Sequence, residues 1–131
     1  TVGAAAPLQE AAVAGLELPA SYYKDLQALY TAKRDHFLAG LDRVGLKHNL
    51  PQGTYFVMID ISEFLALPQF EGWTDLEFCE WMIREIGVAA VPGSSFFREP
   101  VNHLIRMHFA RGTDVLDEAI RRLEKLSELL K

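Results

Sequence analysis

The sequence predicts an α+β domain, a small and mostly antiparallel sheet with helices packed on one face. Three observations predict it. Long segments with apolar residues every three or four positions alternate with a few short runs rich in β-branched and aromatic residues. One of those runs, Leu104 to Phe109, alternates with a period of two, so Ile105, Met107 and Phe109 face one way and Leu104, Arg106 and His108 the other. Finally, 131 residues of which 50% are hydrophobic and 24% charged suffice for one core and one domain.

The elements follow in order. Residues 4–16 are Ala-rich and read as a short lead-in helix, closed at Leu18-Pro19 because the residue before a proline avoids the helical region. A long helix follows, with Ser21 as the expected cap, Gly45 as terminator, and Leu26, Leu29, Tyr30, Phe37, Leu41 and Val44 at helical spacing. Pro51-Gln52-Gly53 is turn chemistry, and Thr54 to Ile61 reads as a buried strand. Ser62 to Trp73, with Pro68 and Gly72, reads as irregular. Thr74 and Glu77 form a capping-box pattern ahead of a helix over 75–86 that stops at Gly87. Val88 to Val91 reads as a short strand broken by Pro92-Gly93, and a loop over 94–102 leads to the strand over 104–109. Thr113 is the expected cap of a last helix over 114–130, with Leu116, Ile120, Leu123 and Leu126 as its apolar stripe. The chain thus divides into a lead-in over 1–18 and a domain over 19–131.

Charge and composition exclude several functions. Thirteen basic against 18 acidic residues give a net charge of −5, without the basic footprint of a nucleic-acid binder. No apolar stretch approaches the roughly 20 residues of a membrane span, and the first residues lack a signal peptide's basic start and apolar run. No nucleic acid and no membrane are therefore expected as partners. The lone cysteine, Cys79, cannot form an internal disulfide, which fits a reducing setting, and the cytoplasm is the expected location. The first residue is Thr1 rather than Met, as in a piece of something longer.

Several local patterns have plain explanations. His36 and His48 fall in separate elements, and His103 and His108 are five apart on opposite faces, so no metal-ligand spacing is present. Cys79 lies inside a helix beside Phe78 and Trp81, where core packing accounts for it. Ser21-x-x-Lys24 matches a pattern that elsewhere marks either a serine hydrolase or a cofactor lysine, but at the start of an amphipathic helix it reads as a cap followed by a solvated lysine. The loop Pro92 to Phe97 lacks the spacing of a phosphate-binding loop, and its phenylalanines either cover a core edge or line a pocket. Arg106 stands mid-strand between apolar neighbours. Its planar fork suits a small carboxylic acid, while the plain alternative is an outward-facing arginine on an edge strand.

The order of these segments is informative. Pro51-Gln52-Gly53-Thr54-Tyr55-Phe56-Val57-Met58 before an acidic strand end, then Gly87 to Phe96 with Pro92-Gly93-Ser94-Ser95-Phe96, then Ile105-Arg106-Met107-His108-Phe109-Ala110 and a closing amphipathic helix, resembles the C-terminal part of class I/II aminotransferases. These are fold-type I enzymes dependent on pyridoxal 5'-phosphate, and the likeness is greatest to the kynurenine, glutamine or methionine aminotransferase branch. It covers essentially the whole chain, including Pro7-Leu8-Gln9 and the stretch from Tyr22 to Asp35, which looks like the helix joining the large domain to the small one.

The resemblance implies that Arg106 binds the α-carboxylate of an amino-acid substrate. It puts Gly93, Ser94 and Phe97 at the border of the substrate entrance, and Tyr55 and Phe56 at the border of the side-chain pocket. None of these is a catalytic acid or base. The Schiff-base lysine, the aspartate on the pyridine nitrogen and the phosphate-binding groups belong to a large domain expected ahead of Thr1, so no cofactor is expected on this chain and Lys24 is not a substitute lysine. The implied parent moves an amino group from an amino acid to a 2-oxo acid and is a homodimer through its large domain, whose absence leaves an apolar patch near residues 1–18. The alternative reading is a free-standing α+β module that senses a carboxylic acid through Arg106 without catalysis.

Overall fold

A computed structural model describes residues 3–130. Residues 1, 2 and 131, the outer ends of the two predicted segments, lie outside the described residues.

The Ala-rich lead-in forms α1 (Ala6–Leu16), with Pro7 in its first turn, where a missing N–H costs no hydrogen bond. None of its residues is buried. The Tyr23 hydroxyl donates to the Gly15 carbonyl at 2.6 Å and ties its end to the next helix. That helix, α2 (Ala20–Val44), starts one residue before Ser21, directly after Pro19, and has no side-chain cap. Ser21 is therefore inside the helix rather than capping it, because Pro19 at φ −61° leads the chain in without help from a hydroxyl. Gly45 ends α2 in the left-handed region at φ 81°, as its position predicts. Only the second half of α2 is buried, through Phe37, Leu38, Gly40, Leu41 and Val44. Leu26 and Leu29, assigned to the same stripe by their spacing, are exposed.

The sheet has three antiparallel strands, β1 (Phe56–Asp60), β2 (Val91–Pro92) and β3 (Leu104–His108), in the order β1-β3-β2. Met58 and Val91 flank Arg106 from either side, so Arg106 lies on the central strand and not on an edge. β1 is shorter than predicted because Thr54 takes a left-handed φ of 63°, a turn conformation. The outer edge of β1 is occupied. Asp60 N–H donates to Lys47 C=O at 2.8 Å, Asn49 N–H to Met58 C=O at 3.1 Å, and Met58 N–H to the Asn49 side chain at 2.8 Å. On the other side, β2 shrinks from the expected 88–91 to two residues, the second a proline, which an edge strand tolerates.

The stretch predicted irregular contains a short helical turn, α3 (Ser62–Leu65), and a 3-10 turn, Pro68–Phe70. The Asp60 carboxylate starts the first by accepting from both the Ser62 N–H and hydroxyl at 2.8 and 2.6 Å. α4 (Asp75–Trp81) begins with the predicted capping box and runs on as a π-helical turn, Met82–Ile86, to Gly87 at φ 76°. α5 (Thr113–Glu128) buries the expected stripe of Leu116, Ile120, Leu123 and Leu126. Its N-cap is Gly112, so Thr113 is the first helical residue rather than the cap.

Core and sheet face agree with the period-two reading. Val57, Ile59, Ile105, Met107 and Phe109 are buried on one face, with Phe37, Phe78 and Leu123 among the side chains packed in the same cluster. Helices α2 and α5 meet at Gly40, where an added Cβ would come within 2.6 Å of Ile120 Cγ1. Phe78 centres an aromatic group, its ring centroid 5.4 Å from both Phe70 and Trp81 and 5.8 Å from Phe64. Among the described residues no helix is long and apolar enough to cross a membrane.

At the start of α4, the Thr74 N–H donates to Glu77 Oε2 at 2.8 Å while the Glu77 N–H donates to Thr74 Oγ1 at 3.3 Å. Thr74→Ala is expected to cost about 1 kcal/mol and lower the melting temperature by about 3–5 °C, read by thermal denaturation.

Candidate functional site

The solvent-facing side of the sheet carries Phe56, Met58, Arg106 and His108. Strand pairing brings Phe56 and Arg106 onto the same face of neighbouring strands, and the 3-10 turn Gly93–Phe96 folds back beside them. The result is a stacked guanidinium. Arg106 Cζ lies 4.0 Å from the Phe56 ring centroid and 3.8 Å from that of Phe96. Among the described residues no carboxylate lies within ion-pair distance of Arg106, and its side chain makes no hydrogen bond. A half-buried arginine with both faces covered and no anion of its own keeps its N–H edges for something else.

The turn that carries Phe96 is fastened at two points. Gly93 is buried so closely against β3 that an added Cβ would fall 2.4 Å from the Leu104 carbonyl oxygen, a place only glycine can occupy. Next to it, the Asp75 carboxylate accepts from the Ser94 N–H at 2.7 Å and from the Ser94 hydroxyl at 3.1 Å. Asp75 is only 2% exposed, the one charged side chain in the core among the described residues.

The structure thus brings together Phe56, Gly93, Ser94 and Arg106 of the predicted positions. Tyr55 stands next to them, its ring 4.5 Å from Phe56 and 6.5 Å from His108. It also lines a cleft of about 540 Å³ with Tyr23, Tyr30, Arg34 and the Pro51-Gln52-Gly53 turn. Phe97 is exposed and follows the turn in extended backbone, while the ring on Arg106 belongs to its neighbour, Phe96. The signal for Phe96 was present, since the P-G-x-x-F pattern ends on it. Asp75 had no comparable signal: after Thr74 in a capping box, an aspartate reads as a favourable charge at a helix start.

The neighbouring titratable groups are accounted for. Burial, and then the negative charge of Asp75, push the Cys79 thiol up to about 12, which makes it an inert core group. Among the described residues no three His, Cys, Asp or Glu side chains cluster as a metal site. His108 is held below its ordinary value near 6.5, first by partial burial and then by the charges of Arg111 and Arg106. With the folded-state value depressed, the unfolded chain binds a proton first, so this contribution to stability is complete above about pH 6.5 and is lost as pH falls. The His108→Gln variant is expected to show a shallower fall in melting temperature between about pH 6.5 and 5 than the unsubstituted chain, in buffered thermal melts.

Residues 2–123 match the family described as aminotransferase class I and II. Kynurenine–oxoglutarate transaminase 1 of Rattus norvegicus is 36% identical over 120 residues, which is 85% of this chain and 28% of that protein. The methionine aminotransferase of Escherichia coli is 36% identical over 121 residues, 92% of this chain and 30% of that protein. The solved structure of N-succinyldiaminopimelate aminotransferase from Mycobacterium tuberculosis superposes with a TM-score of 0.73 at 37% identity, over 92% of this chain and 30% of that one. The chain therefore spans less than a third of the length of these relatives. With a match over nearly its whole length and an α+β fold shared with solved aminotransferases, this chain belongs to the class I and II aminotransferase family.

Proposed function

We propose that this chain is the C-terminal, substrate-gripping domain of a pyridoxal 5'-phosphate-dependent aminotransferase, with Arg106 as the group that binds the substrate α-carboxylate. The observation that carries the reading is the Arg106 side chain itself, stacked between Phe56 and Phe96 and without an acidic partner. A guanidinium covered on both faces offers its N–H groups only in its own plane, and a carboxylate is the planar anion that accepts two of them side by side. Phe56 and Phe96 also remove part of the surrounding water from the pair, which strengthens it. The role of this chain is to bind the substrate by its carboxylate, orient it and keep water from that end.

The lysine contacts among the described residues support a cofactor site outside this chain. An amine that forms an imine must be free and of lowered pKa, whereas Lys47 is bound to the Glu63 carboxylate at 2.6 Å and that hydrogen bond raises it. Lys33 lies over the Tyr30 ring. Neither the cleft beside Met107 and His108 nor the one at the Pro51 turn is lined by a lysine. The cleft beside Met58 and Leu104 has only Lys47, the lysine held by Glu63. In this reading the cofactor and its lysine sit on the part of the parent that the relatives have and this chain does not span. Exposed Leu8, Val13, Leu16, Tyr22, Leu26 and Leu29 along α1 and the first half of α2 supply an apolar face for that part.

The test is amino transfer from methionine or kynurenine to a 2-oxo acid, followed as the new amino acid. The whole polypeptide carrying this chain is expected to transfer and the 131-residue chain alone to be inactive; transfer by the chain alone would overturn the reading.

A further inference from the structure

We propose that Asp75 is a positioning residue for Arg106, acting through the turn that carries Phe96; the inference rests on Arg106 being the carboxylate-binding group. The chain of contacts is continuous. Asp75, at the first turn of α4, holds both the N–H and the hydroxyl of Ser94. Two residues on, Phe96 covers one face of the guanidinium at 3.8 Å. Phe96 ends that turn and is 44% exposed, so the turn's attachment helps set where the ring lies.

A carboxylate is costly to bury, and one that is 2% exposed is kept only if its oxygens are well used. Both oxygens of Asp75 are spent on Ser94, the second residue of the Phe96 turn, and none on a cation. Gly93 fixes the same turn against β3 from the other side. The device fixes an attitude: with Phe56 below and Phe96 above, the guanidinium plane cannot tilt, and the fork stays aimed for an in-plane acceptor. Losing the anchor frees one face, and the same charge then spreads over several poses.

The whole polypeptide carrying this chain tests the idea, with propanoate as probe and propanamide as its uncharged control, each Kd taken from ligand-observed NMR without turnover. Asp75→Ala is expected to weaken propanoate about tenfold and leave propanamide unchanged. Phe96→Leu should do the same. In the Phe96→Leu background, Asp75→Ala should cost nothing more, because one acts through the other. Asp75→Asn, which keeps an oxygen for the Ser94 N–H, should recover most of the loss. Should Asp75→Ala fail to fold, Ser94→Ala replaces it, with an expected loss of about threefold. If Arg106→Ala weakens propanoate while Asp75→Ala, or its replacement, does not, or if the Asp75 and Phe96 effects simply add, the positioning role is overturned and the clamp stands. Propanoate binding that survives Arg106→Ala overturns the clamp and the positioning role with it.

Discussion

Replacing Arg106 by alanine in the whole polypeptide is expected to lower kcat/KM for amino-acid substrates by about 30-fold to 5,000-fold, corresponding to about 2 to 5 kcal/mol for a lost carboxylate partner. Most of the loss should fall on KM, because the carboxylate is gripped equally before and during the chemical step. Arg106→Lys keeps the charge but not the fork, and a lysine ammonium does not sit flat between Phe56 and Phe96. It should therefore recover only a minor part. An amine substrate that lacks a carboxylate provides the control and should be indifferent to both changes. Unchanged KM and kcat/KM in Arg106→Ala would remove Arg106 from the substrate site.

The largest effect on stability is expected at Phe78, fully buried among Phe64, Phe70 and Trp81. Phe78→Ala removes a ring that three aromatic neighbours pack against and leaves a cavity they cannot fill, at a cost of about 3–5 kcal/mol. Against a total stability of about 5–15 kcal/mol for a domain, that is a large share. Denaturant titration should show the midpoint falling with little change in slope, and the melting temperature dropping by about 10–20 °C. The same substitution loosens α4, whose first turn carries Asp75, so a folded Phe78→Ala protein should also bind carboxylates less well.

Much of the architecture was legible from periodicity because burial and spacing agree there. The apolar stripe of α5, the alternation of β3 and the capping box of α4 are all local patterns that tertiary packing did not override. The misreadings have local causes too. Ser21 is a good cap by type, but Pro19 had already set the chain's entry into α2. Leu26 and Leu29 have the spacing of core residues, yet in this chain they face outward, because periodicity reports an apolar face and not what covers it. Between Ser62 and Phe70, helical turns too short to show a period were hidden by Pro68. At the site, Arg106 stood out by its place in mid-strand and Gly93 entered only through the family resemblance, while the neighbours of Arg106 depend on strand register. Asp75 and Ser94 are 19 residues apart, and only the fold makes them partners.

The strand edges bear on how this chain behaves in concentrated solution. An open edge offers unpaired amides to any other extended chain and is the usual route to strand-by-strand aggregation. Here one side of the sheet is already paired with residues 47–49, and the other ends in two residues of which one is Pro92, which has no N–H to give. Self-association of this chain is thus directed away from sheet extension and toward its helical side chains. It is expected to be reversible on dilution and to proceed without added β-structure, which circular dichroism across a concentration series would register.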